Sequence, residues 1–253
     1  MDRFVKVMDL LSDSREKGIG ITDLSRQTLM SKGTLHRMLQ SMAGHQLVVQ
    51  DRESKKYKLG PRSMKWGSRF LQSQDPVGLL SRHCDLLGDR SGLYAFVCRL
   101  QADEIFCIHT HQPSGVKNSF FVHVGQRMPI HCAAAAEIIL AFQTEETIDR
   151  LLKKEDLRPY TPYTVTNPDR IRDILARARR RRLAFCNQEL ERGVTAISVP
   201  VFHRPERTLV SLSVVGDYRD IEARKKTIID ELLRIADRAS DQLTSMSSLS
   251  SLI

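Results

Sequence analysis

The first sixty residues carry a hydrophobic register that leaves few folds open. In MSKGTLHRML, Met30–Leu39, the apolar residues Leu35, Met38 and Leu39 recur at helical spacing, and Met42 continues the series. Ser31, Lys32, Thr34, His36 and Arg37 fall on the other side. Upstream, Phe4, Val7, Met8 and Leu11 repeat as an amphipathic helix does, and Gly18 and Gly20 are expected to end it. Thr22 is the expected N-cap of a short second helix around Leu24. Ser31 is the expected cap of a third helix that runs to about Met42 and closes at Gly44. LVVQ, a charged tip DRESKK and YKLG then read as a hairpin.

Helix, helix, turn, helix and hairpin in this order is the plan of a winged helix-turn-helix. A helix that enters the DNA major groove presents short polar or basic side chains near its N-terminus. Ser31, Lys32, Thr34, His36 and Arg37 meet that requirement. Gly33 permits close backbone approach, at a cost in helix propensity of about 1 kcal/mol relative to alanine. Lys32 and Arg37 suit either guanine or phosphate, and the sequence does not separate the two. Thr22, at the start of the second helix, would offer backbone amides to a phosphate. Arg52, Lys55 and Lys56 at the wing tip would add further contacts. The competing reading is an ordinary solvated helix. Charge weighs against it: residues 1–75 hold 14 Lys+Arg against 8 Asp+Glu, so most of the net +9 lies in under a third of the chain. A local positive field of this kind favours a polyanion.

Beyond Pro61 a helix near Arg62–Ser73, carrying Met64, Trp66, Phe70 and Leu71, reads as a linker. From about Leu79 the pattern changes. A helix near Leu79–Arg90 leads into LYAFVCRL and EIFCIHTH, joined by a turn at Gln101–Asp103, and FFVHV reads as a third strand. CAAAAEIILAF is an Ala-rich helix, with two more at Glu145–Lys153 and Pro168–Arg182. VTAISVPVF and TLVSLSVVG are β-branched strands, and Ile221–Leu243 is a long final helix. The resulting class is α+β: a DNA-binding domain over 1–60, a linker helix over 61–76, a mixed α/β domain over 77–246 and a frayed Ser-rich tail over 247–253.

ITDLSRQTLMSKGTLHRMLQSM with YKLGPR resembles the DNA-binding domain of IclR-type bacterial transcription regulators. VGQRMPIHCAAAAEIILAF, NQELERGVTAISVPVF and LVSLSVVG are similar to successive blocks of the same family's second domain. NQELERGVTAISVP is similar to the branch that controls breakdown of aromatic acids. The resemblance implies a winged-helix domain, a dimerising linker helix and a GAF-like effector domain. It also implies a homodimer or dimer of dimers on a palindromic double-stranded operator, and a small organic acid as effector. By position it places Phe120, Ala134, Ala135, Cys186, Glu189, Ala196, Ser211 and Ser213 in the effector pocket. Ser211 and Ser213 share one face of a strand, where their hydroxyls suit a carboxylate. Amides at the start of the Ala-rich helix favour an anion too. Satisfied sheet hydroxyls and tight helix packing are the competing readings. The chain departs from the pattern where Ala136-Glu137 replaces the usual Gly-Lys, where a Gly gives way to RARRRR, and at Cys186, where an acidic residue is common.

Other chemistries compete for the same residues. Cys107, His109 and His111 alternate, so they are expected on one face of a strand, and they are zinc-ligand types. Same-face neighbours diverge, however, and no nucleophile motif surrounds any cysteine. No metal, cofactor or catalytic site is therefore expected. A metal-binding enzyme, or a DNA-binding protein whose second domain only oligomerises, is the alternative. Five cysteines without a C-x-x-C pair, no long apolar run, and a start, MDRFVKVMDLLSDSREK, without signal-peptide order point to a cytoplasmic protein that does not span a membrane.

Overall fold

The computed structural model describes residues 2–14, 17–72, 77–116, 122–202 and 210–250. The chain divides into two compact units, residues 1–74 and 75–253.

The first unit holds α1 (Asp2–Asp13), α2 (Ile21–Thr28) and α3 (Lys32–Gly44). An antiparallel hairpin follows, β1 (Val48–Gln50) with β2 (Tyr57–Leu59), and then α4 (Pro61–Gln72). The apolar register converges as the sequence requires: Val7 and Leu11, Leu24, then Leu35, Leu39 and Met42 pack with Val48 and Tyr57 into one core. Ser31 caps α3, its hydroxyl accepting from the Thr34 N–H at 3.2 Å. Thr22 does not cap α2. Gly20 holds that position in extended conformation, and its carbonyl accepts from the Leu24 N–H. The cause lies just upstream, where Ile19 pairs with Tyr57 through N–H···O bonds of 3.0 and 2.9 Å. That pairing fixes an extended approach and starts the helix at Ile21, which leaves Thr22 exposed in the first turn. The linker helix is described over Pro61–Gln72, and the remainder of its expected span lies outside the described residues.

The second unit is built on a five-stranded sheet of order β4-β3-β7-β6-β5, antiparallel at every pairing. Its strands are β3 (Tyr94–Gln101), β4 (Glu104–His111), β5 (Ala184–Asn187), β6 (Val194–Val201) and β7 (Val210–Asp217). One face packs against α5 (Val77–Ser91) and α9 (Tyr218–Ser250). The other face carries α6 (Ala134–Leu140), with α7 (Glu145–Lys154) and α8 (Pro168–Arg181) sharing its core. Every residue of α6 is buried, so this short helix is the centre of that layer.

Three expectations change. Phe120 and Phe121 lie outside the described residues, and Val122–Val124 form no strand. Instead, Gly125–Met128 runs along the free edge of β4: the Cys107 N–H donates to Gln126 O, the Gly125 N–H to Cys107 O and the Met128 N–H to Ile105 O, at 2.8–2.9 Å. α9 extends to Ser250, so the start of the expected frayed tail is helical. The supposed common face of Cys107, His109 and His111 is broken by a bulge. Val97 pairs with His109 but Cys98 pairs with Cys107, which makes Ile108 the extra residue. Cys107 therefore joins the α6-side core. His109 and His111 turn to α5 and donate to Asp85 at 2.8 Å and Asp89 at 2.7 Å. Among the described residues, no three His, Cys, Asp or Glu side chains are placed to hold a metal ion.

Candidate functional site

α3 is oriented by its own apolar side. Leu35 and Leu39 are fully buried, which turns Ser31, Lys32, Gly33, His36 and Arg37 outward with Thr34 half-buried beside them. A Cβ at Gly33 would meet nothing within 4 Å, so the fold itself does not require glycine there. Among the described residues Arg26 pairs with Asp23 at 2.7 Å, whereas Lys32 and Arg37 have no acidic partner. The wing tip is a fixed turn. The Asp51 carboxylate accepts from the Ser54 hydroxyl and N–H at 2.6 and 2.7 Å, and these bonds hold it below its ordinary pKa. The Gln50 amide donates to Lys55 O, and Lys55 adopts a left-handed backbone with φ 56°. Arg52, Lys55 and Lys56 are exposed on this turn. Two outward cationic clusters of one small unit are thus presented, one on α3 and one on the wing turn.

The second unit contains a cavity of about 300 Å³. Phe96, Met128, Val194 and Val215 belong to its apolar wall, and Ala133, Ala134 and Ala135 bring in the start of α6. Cys186 and Ala196, a cross-strand pair of β5 and β6, add small side chains. Tyr160 closes one side, and Gln126, Arg127 and Glu191 are the polar members.

Of the residues proposed from sequence, Ala134, Ala135, Cys186 and Ala196 come together in this wall. Phe120 lies outside the described residues. Ser211 and Ser213 are on the expected strand but are fully buried and do not line the cavity. Ser198 donates to Ser213 at 2.7 Å, and Ser211 is paired across the sheet with Cys98. Glu189 is absent from the wall as well. Burial pushes its carboxyl up to about 7, against hydrogen bonds from the Val165 and Asn187 backbone, and one of its oxygens has no partner. Tyr160, Gln126 and Arg127 were not anticipated. Gln126 and Arg127 do belong to the recognised block VGQRMPIHC, the only sequence signal that pointed near them.

A second carboxyl stands out. Glu137 of α6 is 1% exposed and neither of its oxygens has a hydrogen-bond partner among the described residues. Burial, then the neighbouring Glu189, push its pKa well above the usual carboxylate range, with Arg177 opposing. The folded state therefore binds a proton that the unfolded chain releases at lower pH, and stability falls as pH rises above the unfolded value. Glu137→Leu should raise stability by about 1–3 kcal/mol, the cost of an unsatisfied buried polar group. The gain should be larger at pH 8 than at pH 5, as read by urea denaturation at the two pH values.

Comparison with known proteins agrees with both units. Residues 1–52 match the IclR helix-turn-helix domain, and residues 69–243 match the C-terminal domain of bacterial IclR transcriptional regulators. The chain is 30% identical over 241 residues to the HTH-type transcriptional regulator KdgR of Dickeya chrysanthemi, covering 94% of this chain and 77% of that protein. An IclR transcriptional regulator from Alicyclobacillus acidocaldarius superposes with TM-score 0.78 at 25% identity, over 96% of this chain and 99% of that one. An IclR homologue from Microbacterium hydrocarbonoxydans, solved with 4-hydroxybenzoate, superposes with TM-score 0.77 at 21% identity, over 96% and 98%. A DNA-binding winged unit joined to an effector-binding unit, with both family domains matched in order, makes this chain a member of the IclR family, a transcription regulator rather than an enzyme.

Proposed function

We propose that the protein is a cytoplasmic homodimer, or dimer of dimers, that binds a palindromic operator and senses a small organic carboxylic acid. The observation that carries this reading is a division of labour. One unit offers an outward cationic helix without acidic partners among the described residues, and the other encloses a mostly apolar cavity. α3 enters the major groove with Ser31, Lys32, Gly33, Thr34, His36 and Arg37 toward base edges. Thr22 and the wing residues Arg52, Lys55 and Lys56 lie against phosphates. Two protomers then read half-sites roughly one helical turn, about 34–36 Å, or a multiple of it apart.

The cavity volume of about 300 Å³ lies at the small end of ligand pockets, which suits a compact acid. The homologue solved with 4-hydroxybenzoate supports an aromatic one. The effector acts through unequal affinity for two arrangements of the assembly, transmitted by the linker helix. Gel-shift titration of fragments from the gene's own and neighbouring promoters, with and without candidate acids, tests the reading. Salt-insensitive or sequence-blind binding would refute it. Ala196→Leu should fill the cavity and abolish the response to acid while leaving operator affinity in the absence of acid unchanged in the same assay.

A further inference from the structure

The cavity has an electrostatic polarity. At the Cys186 side two carboxyls stand behind the wall. Glu137 lies on α6, three residues beyond the lining Ala134, and Glu189 lies three residues beyond Cys186. Among the described residues, Glu137 has no hydrogen-bond partner at either oxygen, and Glu189 lacks one at Oε2. Burial first, and then Glu189 and Glu137, push the Cys186 thiol up. Glu137 is held protonated, so the charge a ligand carboxylate placed there would meet is that of Glu189 when it ionises, and the ligand in turn would push both carboxyls further up.

The other side holds Arg127, the one cationic residue of the lining among the described residues. Its backbone is fixed along the edge of β4 by a bridge to Phe106, so only the side chain is free to move. The guanidinium is shared between Glu104, with Nε at 3.1 Å, and Glu155, with Nη2 at 2.6 Å. Arg127 also lines a second, polar cavity of about 310 Å³ together with Glu104 and Glu155, so it forms part of both cavity walls. Burial alone would lower its pKa, but the hydrogen bond and charge of Glu155, with Glu104, outweigh burial and hold the group above its ordinary value. The side chain is 46% exposed, whereas that of Glu155 is 4% exposed. Behind Glu155 waits a further group. The His131 ring is fully buried and donates from Nε2 to Arg158 O at 3.0 Å, and its Nδ1, without a hydrogen-bond partner among the described residues, lies 3.9 Å from Glu155 Oε1. The same ring stacks on Tyr160, which lines the effector cavity.

We infer that Arg127 is the anion-recognising residue of the cavity, and that it exchanges Glu155 for the carboxylate of the bound effector. The effector then lies with its carboxylate toward Gln126 and Arg127 and its apolar body toward Ala196 and Cys186. The planar guanidinium grips a carboxylate through two parallel N–H···O bonds, a geometry a neutral amide does not reproduce. Glu155, released from Arg127, lies 3.9 Å from His131 Nδ1, and a hydrogen bond between them takes up one proton from solvent, because an ionised carboxylate and the Nδ1 of a ring that donates from Nε2 are both acceptors. His131 in turn braces Tyr160, so the exchange couples occupancy of the cavity to the loop that closes it. Apart from that one proton, only hydrogen bonds and ion pairs change.

This inference rests on the acid-sensing reading above, and its test separates the two. Benzoate, 4-hydroxybenzoate and pyruvate are each titrated calorimetrically into the full-length protein beside the corresponding primary amide. The wild type should prefer at least one acid over its amide. Arg127→Gln should weaken that acid about tenfold or more while leaving the amide unchanged, which erases the preference. Glu155→Gln, which removes the competitor for the guanidinium and keeps its shape, should bind the acid roughly threefold or more tightly. An acid preference that survives in Arg127→Gln, or an acid affinity unmoved by Glu155→Gln, overturns the inference and leaves the acid-sensing reading standing. A wild type that binds none of the acids overturns both.

Discussion

Replacing Arg37 with alanine is expected to weaken operator binding roughly ten- to a hundredfold, the loss that follows removal of one good base-edge contact. The side chain stands on the outward face of α3, and its neighbours Leu35 and Leu39 point into the core. Its removal leaves no buried orphan, because Arg37 has no acidic partner among the described residues. Stability should therefore stay within about 0.5 kcal/mol of wild type, and a loss of affinity will report contact rather than unfolding. Lys32→Ala makes the comparison informative. If Lys32 holds phosphate, its loss weakens specific and non-specific fragments alike and lowers the salt slope by about 1. If Arg37 reads a base, its loss is confined to the true operator and relaxes one position in each half-site. A gel shift at fixed salt in which Arg37→Ala binds as wild type would remove the residue from the interface.

The winged unit was legible because its information is local. Each helix completes its apolar period within its own segment, and Ser31 lies one residue before the helix it caps. Even so, the true start of α2 depended on a non-local fact, the pairing of Ile19 with Tyr57 across the unit. The second unit was legible as a set of strands and helices and less so as surfaces. Side-chain alternation places Cys107 and His109 together only in a regular strand, and nothing in EIFCIHTH announces the extra residue at Ile108. β5 has four residues, AFCN, too few to display a period. The cavity divides in the same way. Ala134, Ala135, Cys186 and Ala196 sit on or beside regular elements and could be placed by position. Arg127 and Tyr160 reach the cavity from segments without periodicity, brought there by hydrogen bonds to the edge of β4 and by a loop pinned through Thr161 and Thr164 to Gln188 and Glu189 carbonyls.

The second large effect is expected from a glycine that touches neither ligand. Gly60 follows β2, and a Cβ there would lie 2.2 Å from Gln46 O and 2.8 Å from both Gln46 C and Val48 N. All three are backbone atoms, so no side chain can rotate away to relieve the contact. The surroundings are also tied down: the Gly60 N–H donates to Leu47 O at 2.7 Å and the Arg62 N–H to Gln46 O at 3.1 Å. Leu47 and Val48, the residues that would have to move, belong to the core shared by α1, α2 and α3. Gly60→Ala must therefore open the hairpin or displace the turn that leaves α3, at a cost of about 3 kcal/mol or more. In a unit this small that is a large part of the total stability. Operator binding should be lost, and amide hydrogen exchange should become fast across residues 17–60. The protection of β3 and β7 and the calorimetric affinity for acid should not change, since they belong to the other compact unit. Gly44→Ala is the control. A Cβ there meets nothing within 4 Å, and the residue is helical, so the change should stabilise by about 0.5–1 kcal/mol. If Gly60→Ala bound operator as wild type with its exchange pattern intact, the hairpin would not need this close backbone approach, and the wing would be far more plastic than its fixed turn implies.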